Sequence, residues 1–297
     1  MQLDIIDVFG SRVLRGNPLA VVHAAEGLDT PLDLGAMQAL TDWLGFSETT
    51  FLLPPTSAGA DYKVRIFCPG RELPFAGHPT LGTCHAWLAA GGVSARDDVI
   101  VQECGVGLVA IRRIEGMLAF RAPPTRRGGP LSDAERDAAA QLCQLPPEAI
   151  VDAVHADNGP DWQLLRLRSV EDVLAAQAPA RATVGTDIGL IAAYAAGGAH
   201  SCEGPHSSEG RADFEVRAFF ASAHGVIVED LVTGSLNAAA AQYLFGAGLA
   251  QARYVAAQGR KVGADGRVVC VQDGDGAVWV AGKTVTVLSG AELVAWQ

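Results

Sequence analysis

Two stretches of this chain repeat one another, and the repeat constrains the fold more than any other feature. KVRIFCPGRELPFAGHPTLGTCHAWLAAGG (63–92) aligns with EVRAFFASAHGVIVEDLVTGSLNAAAAQYLFGAG (215–248). Val64-Arg65-x-Phe67 matches Val216-Arg217-x-Phe219, Glu72 matches Glu229, and Gly77-His78 matches Gly234-Ser235, with five extra residues in the second copy. A strand, an acid, a glycine and an Ala-rich helix therefore follow one another in both halves. The expectation is two similarly folded domains related by a pseudo-twofold axis. The length, 297 residues, agrees with two domains of ordinary size.

The rest of the chain reads as mixed α and β. Strands are predicted at 3–9, 19–24, 49–54 and 62–67, then in a meander over 99–123 with Gly105, Gly107 and Gly116 at its turns. A helix is predicted from Thr30, where Pro31 and Asp33 supply a start signal, to just before Gly45. Arg126-Arg127-Gly128-Gly129-Pro130 reads as the crossing between domains. The second half opens on a helix capped by the Ser132-x-x-Glu135 box, followed by strands near 151–155, 163–168, 183–193 and 213–220. The domains are placed at 1–124, completed by a C-terminal strand at 285–297, and 125–284.

Charge and cysteine usage exclude several functions. The net charge is −11, the wrong sign for a phosphate-backbone binder, so no nucleic-acid partner is expected. The first twenty residues lack a signal-peptide pattern and no run of 18 apolar residues occurs, which predicts a cytoplasmic protein without a membrane partner. Six cysteines are scattered without a C-x-x-C, against both a zinc site and a disulfide framework. Only 19% of residues are charged, which points to apolar surface of the kind a subunit interface covers.

The chemistry is expected where the two repeats start their helices. Pro79 suits a first helical position, which puts His78 at an N-cap and Ser235 at the equivalent place. Capping is the commonest reason for such residues, but two matched copies beside Gly77 and Gly234 also offer unpaired amides and positive dipole ends to an anion. If the copies face one another, the cleft between them suits a carboxylate. Two acids stand near: Glu48, entering an apolar strand, and Asp230, five residues before Ser235. A carboxylate in a partly desolvated cleft beside a histidine is what general acid/base catalysis needs.

GNPLAVV (16–22), SETTF (47–51), RIFCPGRELPFAGHPTLGT (65–83) and EDLVTGSLNAA (229–239), taken together and in this order, resemble the PhzF-like isomerase family of phenazine biosynthesis. The resemblance implies an α+β fold of the diaminopimelate-epimerase type. In it two pseudo-symmetric domains each wrap a β-barrel-like, mostly antiparallel or mixed sheet round a central helix, and a homodimer is usual. It also implies proton transfer on trans-2,3-dihydro-3-hydroxyanthranilate or a similar small cyclic carboxylate, with no metal or organic cofactor. Glu48 would move the proton, His78 and Asp230 would orient the substrate and polarise the proton's path, and Gly77, Gly234 and Ser235 would hold its carboxylate, with Asn17 a further contact.

Two positions depart from the pattern. Racemases of this fold type carry a cysteine immediately before each helix-start glycine, where this chain has Ala76 and Thr233. Leu231 stands where the family motif generally has proline. An amino-acid epimerase and a non-catalytic binding protein that keeps the fold remain as alternatives. Two other motifs are deceptive. GAVWVAGKT (276–284) has five residues between its glycines, one too many for a P-loop, and GVGLVA (105–110) lacks the helix and the acid of a dinucleotide fingerprint. His78 and His85 have no acid or cysteine at metal spacing, and His85 is expected to be a satisfied core residue.

Overall fold

A computed structural model describes residues 1–24, 33–195, 211–222 and 224–294. The β-branched and aliphatic runs form strands and the small-residue runs form buried helices. In order these are β1 (Gln2–Val8), β2 (Asn17–His23), α1 (Leu34–Leu44), β3 (Thr49–Leu53), β4 (Tyr62–Cys68), β5 (Arg71–Leu73), α2 (Gly77–Ala89), β6 (Ile100–Cys104), β7 (Gly107–Ile114) and β8 (Met117–Arg121). Next come α3 (Asp133–Leu142), β9 (Ile150–Asp157), β10 (Asp161–Leu167), α4 (Val170–Ala175), β11 (Asp187–Ala193), β12 (Phe214–Ala221), β13 (Ile227–Glu229), α5 (Gly234–Gly246), β14 (Arg253–Gln258), β15 (Gly266–Gln272), β16 (Val278–Gly282) and β17 (Thr284–Glu292). The chain divides into two units, Met1–Arg121 with Ala281–Gln297, and Ala122–Val280.

The repeat in sequence is a repeat in topology. In unit 1, β1 and β2 are antiparallel, β2 runs parallel to β3, β3 and β4 are antiparallel, β5 turns back on β4, and β6 pairs parallel with β4. In unit 2 the same relations join β9 to β10, β10 to β11, β11 to β12, β12 to β13 and β12 to β14. Phe67 pairs with Glu72 and Phe219 with Glu229, so the aligned residues hold the same register. The class is mixed α+β, each unit a mixed sheet curled about one helix.

Those central helices are buried because their residues are small. α2 packs against β1, β2, β3, β4, β8 and β17. A Cβ on Gly82 would stand 2.5 Å from Leu19 Cδ2, so only glycine admits this approach of α2 to β2. α5 packs against β9, β10 and β15 and buries Leu236 to Ala241 and Leu244. Leu236 in turn lies over Gly189 of β11. Outer helices cover the other sheet faces: Met37 and Leu40 of α1 pack with Leu3, Ala20, Val22, Phe51 and Phe67, and Ala139 and Ala140 of α3 with Leu165, Leu190 and Phe219.

Several local expectations need correction. The first outer helix is capped by Asp33, whose carboxylate accepts from the Ala36 amide, and it ends at Gly45 with φ 71°; Thr30 and Pro31 lie outside the described residues. Arg126 to Pro130 is no free linker. Its backbone runs along β9, with Arg127 bridged to Asp157 and Pro130 to Val154. The strand read at 183–193 begins only at Asp187, because Gly185 turns at φ 89°. His78 and Ser235 are not N-caps. Ala76 and Thr233 hold those positions, and Gly77 and Gly234 open the helices. Pro79 therefore sits third in its helix, where its missing N–H still costs no intrahelical bond.

Candidate active site

In unit 1 the start of α2 meets the residues that precede β3. Strand β2 begins at Asn17, which is fully buried, and the Ser47 hydroxyl donates to Asn17 Oδ1 at 3.2 Å. Glu48 follows, at the entry to β3. Its Oε2 stands 3.4 Å from Nε2 of His78, with the two side chains 18% and 5% exposed. Burial pushes the His78 imidazole down to about 3, so the ring is neutral and offers one N–H and one lone pair. A neutral histidine beside a carboxylate can hydrogen-bond to it, or to a bound ligand, without carrying charge. Gly77, one residue earlier, leaves its amide at the open end of the helix. Asn17, Glu48, Gly77 and His78 thus gather within this unit.

The groups beneath α2 were missed by sequence reasoning. The Thr80 hydroxyl donates to the Ala76 carbonyl at 2.9 Å, so it must accept from Gln102 Nε2, at 3.0 Å. Gln102 Oε1 in turn accepts from the Tyr62 hydroxyl at 3.1 Å. Burial and two nearby cysteines push the Tyr62 phenol well up, which keeps that donor protonated. The chain of bonds has one polarity throughout, and it pins the first turn that carries His78. Asp7 does similar work for Asn17. Its carboxyl, raised by burial, accepts from the amides of Arg15 and Gly16 and so fixes the loop that enters β2.

In unit 2 the start of α5 assembles the second group. Asp230 follows β13, and its Oδ2 accepts from the Thr233 hydroxyl at 2.6 Å. Leu231, in the place of the family's proline, leaves Asp230 within reach of the helix start. The indole N–H of Trp162 donates to Ser235 Oγ at 3.2 Å, and Asn158 Nδ2 to the Ser235 carbonyl at 2.9 Å. Asp230, Gly234 and Ser235 therefore lie together in this unit, with Trp162 and Asn158 arriving from β10 and the turn before it. One signal existed for Thr80, which stands two positions after His78 in the matched helix start.

Other features lie apart from these groups. His85 is held by Thr284 and Thr286 of β17, at 2.9 and 2.8 Å, as a satisfied histidine. A cavity of about 450 Å³ on unit 2 is bounded by α3, β10 and β11 and contains none of the predicted site residues. Among the described residues no three His, Cys, Asp or Glu side chains gather where a metal could bind. Cys68, Cys84, Cys104, Cys143 and Cys270 are free thiols, and Cys202 lies outside the described residues. Among the described residues no helix is long and apolar enough to cross a membrane.

Antisense-enhancing sequence 1 of Schizosaccharomyces pombe is 36% identical over 182 residues, 57% of this chain and 58% of that protein. The trans-2,3-dihydro-3-hydroxyanthranilate isomerase of Pseudomonas aeruginosa is 38% identical over 113 residues, 38% of each chain. The match thus spans less than two thirds of the length of either relative. The crystal structure of a PhzF-family phenazine biosynthesis protein of Bacillus anthracis superposes with a TM-score of 0.79 over 99% of both chains, and at 20% identity this shows the fold alone. The model of the family described as phenazine biosynthesis-like protein matches residues 6–290, and the chain belongs to that family.

Proposed function

We propose that this protein is an isomerase that moves a proton on a small cyclic carboxylate of the trans-2,3-dihydro-3-hydroxyanthranilate type, using its own side chains and no metal or organic cofactor. The observation that carries the reading is the 3.4 Å approach of Glu48 Oε2 to the buried, neutral His78 at the open end of α2. Glu48 takes the proton from one ring carbon, and the C–H electron pair moves into the conjugated system. The protonated Glu48 then returns the same proton to the far end of that system, so atoms and charge balance over the cycle. His78 and Asp230 orient the substrate and polarise the proton's path, Gly77, Gly234 and Ser235 hold its carboxylate, and Asn17 is a further contact. Helix N-terminal amides suit the charge that spreads onto the substrate carboxylate. A racemase with one thiol on each face is disfavoured, since Ala76 and Thr233 hold the two N-cap positions. A homodimer in solution completes the proposal and is checked by light scattering.

The deciding experiment is the ultraviolet progress curve of trans-2,3-dihydro-3-hydroxyanthranilate with wild type and with Glu48→Gln. Turnover by the wild type, lowered roughly 10²- to 10⁴-fold in the variant, is the expected result. Equal turnover by both removes Glu48 from the chemistry, and turnover by neither removes this substrate.

A further inference from the structure

The second helix start contains a hydrogen-bond relay whose direction can be deduced atom by atom. Gln258, at the end of β14, is 1% exposed. Its Oε1 accepts from the Thr233 backbone amide at 3.1 Å and from Asn237 Nδ2 at 2.9 Å. A backbone amide only donates, and Asn237 Nδ2 also donates to the Thr233 carbonyl at 2.9 Å, so neither amide can be turned over. Gln258 Nε2 therefore faces Thr233 Oγ1, at 2.9 Å, and donates to it. The Thr233 hydroxyl has one proton, and the remaining direction for it is Asp230 Oδ2, at 2.6 Å.

We propose that Gln258 and Thr233 are positioning residues that hold Asp230 as a hydrogen-bond acceptor turned toward the start of α5. The relay makes Asp230 an acceptor at Oδ2 and fixes the orientation of its carboxyl group at the start of α5. Among the described residues of unit 1 the matched helix start differs: Ala76 brings no hydroxyl to the N-cap, and the relay there ends on its carbonyl. The two helix starts are in this way assigned different work, proton transfer at Glu48 and orientation of the substrate along the proton's path at Asp230. The catalytic part of this inference rests on the isomerase reading above.

Three variants test it. Thr233→Val keeps the shape and removes the relay proton, Thr233→Ser restores it, and Gln258→Glu replaces the N–H donor by an acceptor of the same size. With trans-2,3-dihydro-3-hydroxyanthranilate as probe, kcat/KM is expected to fall about 10- to 100-fold in Thr233→Val, with the loss in kcat, and to stay within about threefold of wild type in Thr233→Ser. In Gln258→Glu the activity relative to wild type is expected to rise as pH falls, because a protonated carboxyl can again donate to Thr233. Full activity of Thr233→Val, or a pH-independent ratio for Gln258→Glu, overturns the proposal. Crystal structures of wild type and Thr233→Val give a second readout independent of turnover. An Asp230 carboxylate that rotates away in the variant supports the positioning role, even if the wild type proves inactive on this probe and the substrate reading alone fails. An unmoved carboxylate overturns the positioning role whatever the substrate is.

Discussion

His78 shows how much a single residue's surroundings decide. The imidazole is titrated down to about 3 by burial, while in the unfolded chain it takes a proton near 6.5. Between those values the unfolded state binds the extra proton, so stability rises with pH across the window and is lost as pH falls below about 6.5. The slope from this residue is at most about 1.4 kcal/mol per pH unit. His85 is also lowered by burial and adds in the same direction. Urea unfolding of wild type and His78→Gln at pH 4.5 and 7 is expected to show a smaller loss of stability on acidification in the variant. An identical pH dependence would mean that His78 titrates normally in the folded protein. The histidine was visible in the sequence because Gly-His-Pro stands before an Ala-rich run, and Glu48 because an acid enters an apolar strand. Their 3.4 Å contact was not, since 30 residues and three strands separate them.

At the scale of elements, the sequence identified both central helices but misplaced their starts by two residues. Proline tolerates any of the first helical positions, so Pro79 could not tell the first from the third, and Ser235 was carried along by the alignment. What the sequence did contain was the requirement for small residues, and the structure gives it a physical cause. Gly82 of α2 faces Leu19, and Gly189 of β11 faces Leu236 of α5, with a Cβ placed at 2.5 and 2.3 Å respectively from the facing side chain. Gly246 ends α5 with nothing within 4 Å of its Cβ position. Gly82→Ala and Gly189→Ala should each destabilise by about 1–3 kcal/mol through overpacking, and Gly246→Ala should be neutral or stabilising by up to about 1 kcal/mol. Denaturant midpoints of the three variants check this, and a neutral Gly82→Ala would show that α2 is free to move away from β2. The capping box at Ser132 was readable because its two residues bond each other locally. The start at Asp187 was not, because a glycine with positive φ inside a β-like run only marks a turn once the backbone is seen.

Across the whole molecule, the repeat is the level at which sequence and structure agree most closely, and it shows a duplicated frame supporting different surroundings. Arg65 makes a two-point ion pair with Glu72, Nε to Oε1 at 2.8 Å and Nη2 to Oε2 at 2.7 Å. Arg217 repeats it with Glu229 at the same distances. Each guanidinium also lies over the phenylalanine two residues on, 5.2 Å from Phe67 and 4.8 Å from Phe219. Their environments differ: the first pair is 27% and 37% exposed, the second 5% and 10%. Arg217 further donates to the carbonyls of Val173 and Ala176, which fixes the end of α4. Removing the acid from the exposed pair loses an interaction that water largely replaces, at a cost below about 1 kcal/mol. Removing it from the buried pair leaves a guanidinium without its counter-charge, which costs about 3–5 kcal/mol. Thermal or urea unfolding of Glu72→Gln and Glu229→Gln is therefore expected to separate two substitutions that the sequence repeat makes look equivalent. Equal destabilisation would show that burial does not distinguish the pairs, and that the two hairpins contribute alike to their units.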